Sequence, residues 1–222
     1  SLIRGAGFER AALEGFRGDV SVEEEALRVV RDDFEANGLR AMGGLMPVHG
    51  GIWGQRGEGV ETRCGFFCYS EADTVNGLEC ETRKLARLFD KVVIDDAFLT
   101  SCRCALCQEG RGDRDWGTFR RDLMCGVALR LTEAAHAENP KSRLIVKFPQ
   151  YYDRYARFGY DAKRMPEIFD AVWQGTETRD PETLAYGYTQ PYQGYFNARW
   201  MQACAGDKFE GAWFDTLGCD EQ

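Results

Sequence analysis

The chain has 222 residues, 44% of them hydrophobic and 29% charged, which is enough apolar material for one full-sized globular core. The formal net charge is −8 and Arg and Lys are interleaved with Asp, which argues against nucleic acid as a partner, because phosphate binding needs a concentrated basic surface. No apolar run approaches the roughly 20 residues that span a bilayer, no signal peptide opens the chain, and nine cysteines with three in one cluster favour thiols and metal over a disulfide framework.

Strand and helix patterns alternate along the chain. Residues 11–16 form a first strand. Residues 22–37 follow at helical spacing, with Ala26, Leu27, Val30 and Phe34 on one face, Ser21 as N-cap and Gly38 as terminator. Residues 39–46 are the next strand, leading into a Gly-rich loop at 49–59, and residues 65–68 are a short strand. An amphipathic helix spans 70–89, with Leu78, Leu85 and Leu88 inward. A buried strand at 92–94 then ends in Asp95 and Asp96. A polar, Cys-rich loop runs to about residue 115. The long helix 116–138 carries Phe119, Leu123, Val127, Leu131 and Ala135 at helical spacing, while the arginines of 111–121 read as a solvated face. Strands at 144–148 and 171–176, a helix at 191–205 opened by Pro191, and a strand at 211–214 complete the pattern.

Strands separated by helices pair in parallel through right-handed crossovers. No Gly-rich phosphate loop follows the first strand, so an open doubly wound sheet is disfavoured. The expected fold is therefore α/β, a TIM-type (β/α)8 barrel with about seven of its eight strands present. Both ends read as cut, so residues 1–222 are expected to be a single domain, a fragment of a longer chain.

Cys102, Cys104 and Cys107 form the sharpest motif, C-x-C-x-x-C. Zinc takes four tetrahedral ligands, and thiolates at this spacing wrap one ion. Cys68 is the expected fourth ligand, because it ends a strand that opens onto the same face as the loop after Asp96; Cys64 is the runner-up. Four thiolates close the coordination shell, which makes the ion structural. Cys80, Cys125 and Cys204 fall on helix faces as small core hydrophobes. The reduced thiols favour a cytoplasmic location.

Barrel enzymes place their chemistry at the C-terminal ends of strands. Those ends here carry Glu14, Asp95, Asp96, Lys147, Glu177 and Asp215. Neighbouring strand residues face opposite sides, so Asp95 and Asp96 read as one functional and one supporting acid, with Asp96 the functional one because it is nearer the loop. Glycoside hydrolysis needs two carboxyl groups flanking one bond, and Asp95 or Asp96 with Glu177 or Asp215 can supply them. Trp53, Phe98, Tyr151, Tyr152, Trp173 and Trp213 are candidates for stacking on sugar rings. Lys147, Arg179 and His49 are expected to contact substrate. With only two histidines, a Ser-His-Asp triad or a His-ligated catalytic metal is disfavoured.

Cys68 before a Ser-Glu helix start, strand-end acids, and then the C-x-C-x-x-C cluster resemble the zinc site of glycoside hydrolase family 42 β-galactosidases. Residues 94–98 (IDDAF), 147–149 (KFP), 175–181 (GTETRDP) and 213–215 (WFD) resemble a group of uncharacterised bacterial glycoside hydrolases over about residues 16–215. The resemblance implies a catalytic (β/α)8 barrel, a carbohydrate substrate, a structural Zn2+ and paired-carboxylate catalysis, with Asp96 as acid/base and Asp215 as nucleophile. This chain has Asp95-Asp96 and Asp215 where the β-galactosidases carry Asn-Glu and Glu. A likeness to α-galactosidase-type barrels would instead make Asp96 the nucleophile and Glu177 the acid. Two alternatives stand beside this reading: a carbohydrate-binding barrel without turnover, and a metal-dependent hydrolase with a second metal at Asp95, Asp96 and Asp215.

Overall fold

The computed structural model describes residues 5–18, 20–48, 66–95, 97–176 and 192–214. The elements in chain order begin with β1 (Arg10–Arg17), β2 (Val20–Ser21), α1 (Glu24–Ala36), β3 (Arg40–Met46), α2 (Ala72–Leu88) and β4 (Lys91–Ile94). They continue with α3 (Ala105–Arg111), α4 (Trp116–Glu138), β5 (Arg143–Phe148), the short helices α5 (Tyr155–Phe158) and α6 (Met165–Ile168), β6 (Ala171–Gly175), α7 (Gln193–Ala205) and β7 (Phe209–Trp213). No helix among the described residues is long and apolar enough to cross a membrane.

One sheet holds all seven strands in the order β2-β1-β3-β4-β5-β6-β7. The two-residue β2 is antiparallel to β1, and the other six strands are parallel in sequence order. The short strand expected at 65–68 is absent from this sheet. Phe66 makes only an isolated antiparallel bridge to Val48, and β3 pairs directly with β4. The reason lies in packing: Phe66 and Phe67 are both buried, and Phe67 stacks on Phe16 at 6.3 Å, so this apolar run fills the core instead of alternating across a pleat.

The crossover helices cover one face of the parallel sheet, and the other face carries a smaller apolar cluster. Toward the helices, Phe16, Leu45, Val92, Ile94, Leu144, Val146, Phe148 and Val172 join the main core with residues of α2 and α4. Toward the other face, Met42, Val93, Ile145 and Ala171 form a smaller cluster under Trp173. That second face is concave. Lys91 of β4 reaches Glu210 of β7 at 2.8 Å, although three inter-strand spacings of a flat sheet would separate them by about 14 Å. Gly43 shows how closely α2 presses on the other face, since a Cβ there would lie 2.9 Å from the Phe89 ring.

Several local expectations change. The N-cap of α1 is Glu23, without a side-chain cap bond, because the Ser21 hydroxyl donates to Glu81 instead, at 2.6 Å. Asp115 caps α4 by accepting from the Thr118 N–H at 2.9 Å. Cys125 is buried and Cys204 half-buried as expected, but Cys80 is exposed. The arginines of 111–121 are not uniformly solvated: Arg120 is only 3% exposed.

Candidate active site and metal centre

The concave face carries polar groups at the C-terminal end of its strands. The Asp95 N–H donates to the Leu45 carbonyl at 3.0 Å, which continues the β3–β4 ladder by one residue. Alternation along Lys91, Val93 and Asp95 therefore turns the Asp95 carboxylate to the concave side. The same alternation along Arg143, Ile145 and Lys147 brings Lys147 beside it, with Nζ 3.1 Å from Asp95 Oδ1. Lys147 is 5% exposed, and its ammonium lies 4.7 Å from the centre of the Trp213 ring. Trp213 stacks on Trp173 at 6.1 Å. The Trp213 carbonyl accepts from the Thr176 N–H at 2.9 Å and the Thr176 hydroxyl at 2.8 Å, which ties the ends of β6 and β7 together. Acid, ammonium and two indoles from four strands thus meet at one rim. Below them, a cavity of about 570 Å³ runs between β1 and β7, lined by Ala12, Met42, Lys91, Trp173, Glu210 and Trp213 among others.

Asp95, Lys147 and Trp213 are the expected site residues that the structure brings together. Asp96, Glu177, Asp215, Arg179, His49 and Trp53 lie outside the described residues. Glu14 is on β1 but is engaged by Arg17 at 2.7 Å on a largely exposed surface. Tyr151 is half-buried and meets Phe158 edge-on at 5.7 Å. Phe98, a candidate sugar platform, is a core residue: it is 1% exposed and packs between Tyr69 and Phe169, at 5.5 and 6.2 Å. The Asp95–Lys147 pairing and the Trp173–Trp213 stack were not foreseen as contacts, although matching strand parity could have suggested the first.

The second cluster lies where the chain passes from Phe67 into α2 and from β4 into α3. The sulfurs of Cys68, Cys102, Cys104 and Cys107 lie within 4.8 Å of one another, and all four residues are buried. Cys104 stands at the N-cap of α3, which puts Cys107 one turn on and facing the same point. The Cys102 N–H donates to the Thr100 hydroxyl at 3.2 Å. Cys68 Sγ is 3.6 Å from both Cys104 Sγ and Cys107 Sγ. A disulfide would need about 2.05 Å, whereas a tetrahedral ion with bonds of about 2.3 Å gives sulfur–sulfur edges of about 3.8 Å. The four sulfurs can therefore hold a metal ion. Cys64, the alternative ligand, lies outside the described residues.

The crowding has an electrostatic signature. Hydrogen bonds with Cys102 and Cys107, and then burial, push the Cys68 thiol up. Hydrogen bonds from Cys107 and Cys68 hold Cys102 down. The thiols must share protons because adjacent thiolates repel, and a bound dication removes that conflict.

A family model described as "Probable glycosyl hydrolase, catalytic domain" matches residues 1–222. A curated relative, an uncharacterised protein of Saccharolobus solfataricus, is 22% identical over 235 residues, covering 95% of this chain and 38% of the relative. The solved β-galactosidase of Rahnella sp. R3 is similar with a TM-score of 0.72 at 12% identity, over 96% of this chain and 41% of that one. The β-galactosidase of the psychrophilic Marinomonas ef1 gives a TM-score of 0.70 at 9% identity, over 97% and 44%. That of Bacillus circulans sp. alkalophilus gives 0.67 at 11%, over 90% and 39%. At such identities the structural likeness concerns the fold, and the chain spans about two fifths of the length of these relatives.

Proposed function

Because the chain belongs to the family of probable glycosyl hydrolase catalytic domains, we propose that it is the larger part of a (β/α)8 barrel that hydrolyses glycosidic bonds with a pair of carboxyl groups. Six parallel strands that curl around one concave face support this reading, since eight close a barrel. The carrying observation is Asp95 at the end of β4, on the concave side, ion-paired to a buried Lys147 beside the Trp213 ring.

In this chemistry one carboxyl group protonates the departing glycosidic oxygen. The other attacks the anomeric carbon or activates water, while positive charge builds on the sugar ring. Asp95, held beside the Lys147 ammonium at 3.1 Å, takes the role of nucleophile or base. The proton donor then comes from the other strand-end acids, Glu177 first, with Asp96 and Asp215 as the remaining members of the set. The Trp173–Trp213 stack offers a flat apolar face to a sugar ring. Lys147, Arg179, Tyr151 and His49 complete the proposed substrate contacts. β-Galactosides are the first substrates to try, since the structural relatives named above are β-galactosidases.

The four sulfurs would hold Zn2+, which prefers tetrahedral thiolates at these separations. Four protein ligands leave no open position, so the ion would serve as a cross-link between Cys68 and the loop that follows Asp95. It would hold the rim in place and take no part in bond cleavage.

The test is a screen of the full-length protein on nitrophenyl glycosides and polysaccharides, with Asp95→Asn, Asp96→Asn, Glu177→Gln and Asp215→Asn alongside. Asp95→Asn and at least one of the other three should each lower kcat/KM by roughly 10²–10⁴-fold. Unchanged rates in all four variants reject the site, and sugar binding without turnover in the parent protein favours the non-catalytic barrel.

A further inference from the structure

We propose that Arg120 is the charge-balancing residue of the cysteine metal centre. The inference rests on the zinc reading above and goes beyond it. A divalent ion with four thiolates carries a net charge of −2, and a buried net charge is costly unless a counter-charge accompanies it. Arg120 is a buried cation, 3% exposed, on the first turns of α4. Its Nη2 donates to the carbonyl of Ser101 at 2.9 Å, one residue before Cys102. Its Nη1 donates to the carbonyl of Arg157 at 2.8 Å. The Nε–H is buried and finds no partner among the described residues. No carboxylate among the described residues pairs with it; its contacts are the two carbonyls and the Trp116 ring, 5.0 Å away. Burial and then Arg103 work against its charge, while Cys107 and Cys102 favour it. Arg103, between two of the cysteines, leans on the same Trp116 ring at 5.6 Å. Arg111 reaches the same ring at 5.0 Å, so three guanidinium groups gather beside the cysteine cluster. The Arg120 guanidinium is thus placed to stabilise the dianionic, metal-loaded centre.

The experiment uses the full-length protein, with Zn2+ affinity measured by chelator competition and Tm measured with and without zinc. Arg120→Met should weaken Zn2+ binding by tenfold or more, as loss of a group supporting metal ligands generally does. It should also shrink the rise in Tm that zinc produces. Arg120→Lys keeps the charge but not the two-pronged carbonyl clamp, and should return affinity close to that of the parent. If Arg120→Met lowers Tm equally with and without zinc at unchanged affinity, Arg120 is only a backbone clamp and the proposal fails. Should Arg120→Met not fold, Arg120→Lys decides: affinity near the parent supports charge balance, and a tenfold loss overturns it. If the parent protein binds no zinc through sulfur, the metal reading itself falls and this inference falls with it, an outcome distinct from a failure of Arg120 alone.

Discussion

Cys102 shows how much depends on single side chains in this molecule. Its backbone is fixed by Thr100, its sulfur belongs to the buried quartet, and the carbonyl before it is held by Arg120. If the quartet holds zinc as proposed, Cys102→Ser replaces a soft ligand by a hydroxyl that zinc binds poorly. Metal affinity and folding are linked, so the variant should lose the ion and more than about 3 kcal/mol of stability, which lowers Tm by roughly 10 °C in a chain of this size. Calorimetry beside metal analysis checks this; a variant that melts with the parent protein would mean that the cluster is not a metal cross-link. The quartet was legible in the sequence because three of its members sit within six residues and their spacing carries the geometry. Arg120 was not legible. The apolar repeat of α4 runs along Phe119, Leu123, Val127, Leu131 and Ala135, whereas the helix also buries Arg120, Met124 and Ala128. A charge inside that broader face looks, in sequence, like its solvated neighbours Arg114 and Arg121. Asp95 and Lys147 were each visible as strand-end residues, but their contact depends on the register between β4 and β5, which pairs Ile94 with Val146 and which no local pattern encodes.

At the scale of elements, the junction of α5 with α4 depends on one glycine. Gly159 follows α5 with φ of +90°, and a Cβ there would lie 2.5 Å from Met124 Cγ and 3.0 Å from the Arg120 carbonyl oxygen. Gly159→Ala combines left-handed backbone strain with overpacking against α4, and should cost about 2 to 4 kcal/mol. Chemical denaturation should show a lower midpoint with an unchanged slope, and an unaltered midpoint would mean that α5 can shift away from α4 without loss. Elements whose cues are local matched the sequence well. The helix 116–138 has the expected bounds because Asp115 caps it and the apolar repeat runs its full length. Helix α3 was missed because the loop around it is polar and its buried residue is a cysteine already assigned to metal. The strand expected at 65–68 failed for the opposite reason. Two adjacent phenylalanines satisfy a buried-strand pattern equally well as core filling, and only tertiary packing distinguishes the two.

At the scale of the whole molecule, the curl of the sheet is what lets residues from β4, β5, β6 and β7 face one another. Below the apolar layer of the concave face, Glu210 of β7 accepts from Lys91 of β4 at 2.8 Å and pairs with Arg143 of β5. One carboxylate thus joins three strands across the floor beneath Asp95 and Lys147. Burial works against the ionised Glu210, but Lys91 and Arg143 outweigh it and hold the group below the usual carboxylate range. A carboxylate depressed in the folded state stabilises fully above its unfolded pKa of about 4.3, and that contribution is lost as pH falls through the folded value. Glu210→Gln keeps the shape and removes the charge, leaving two cations facing each other. It should therefore cost about 1 to 3 kcal/mol at pH 7. The gap from the parent protein should hold down to about pH 5 and close as pH falls further. Urea melts across that range test it, and a gap that stays constant into acid would mean that Glu210 acts through packing alone. If the floor sets the curl, the same substitution should also weaken catalysis without touching the rim, because Asp95, Lys147 and Trp213 converge only while β4 and β7 are drawn toward each other.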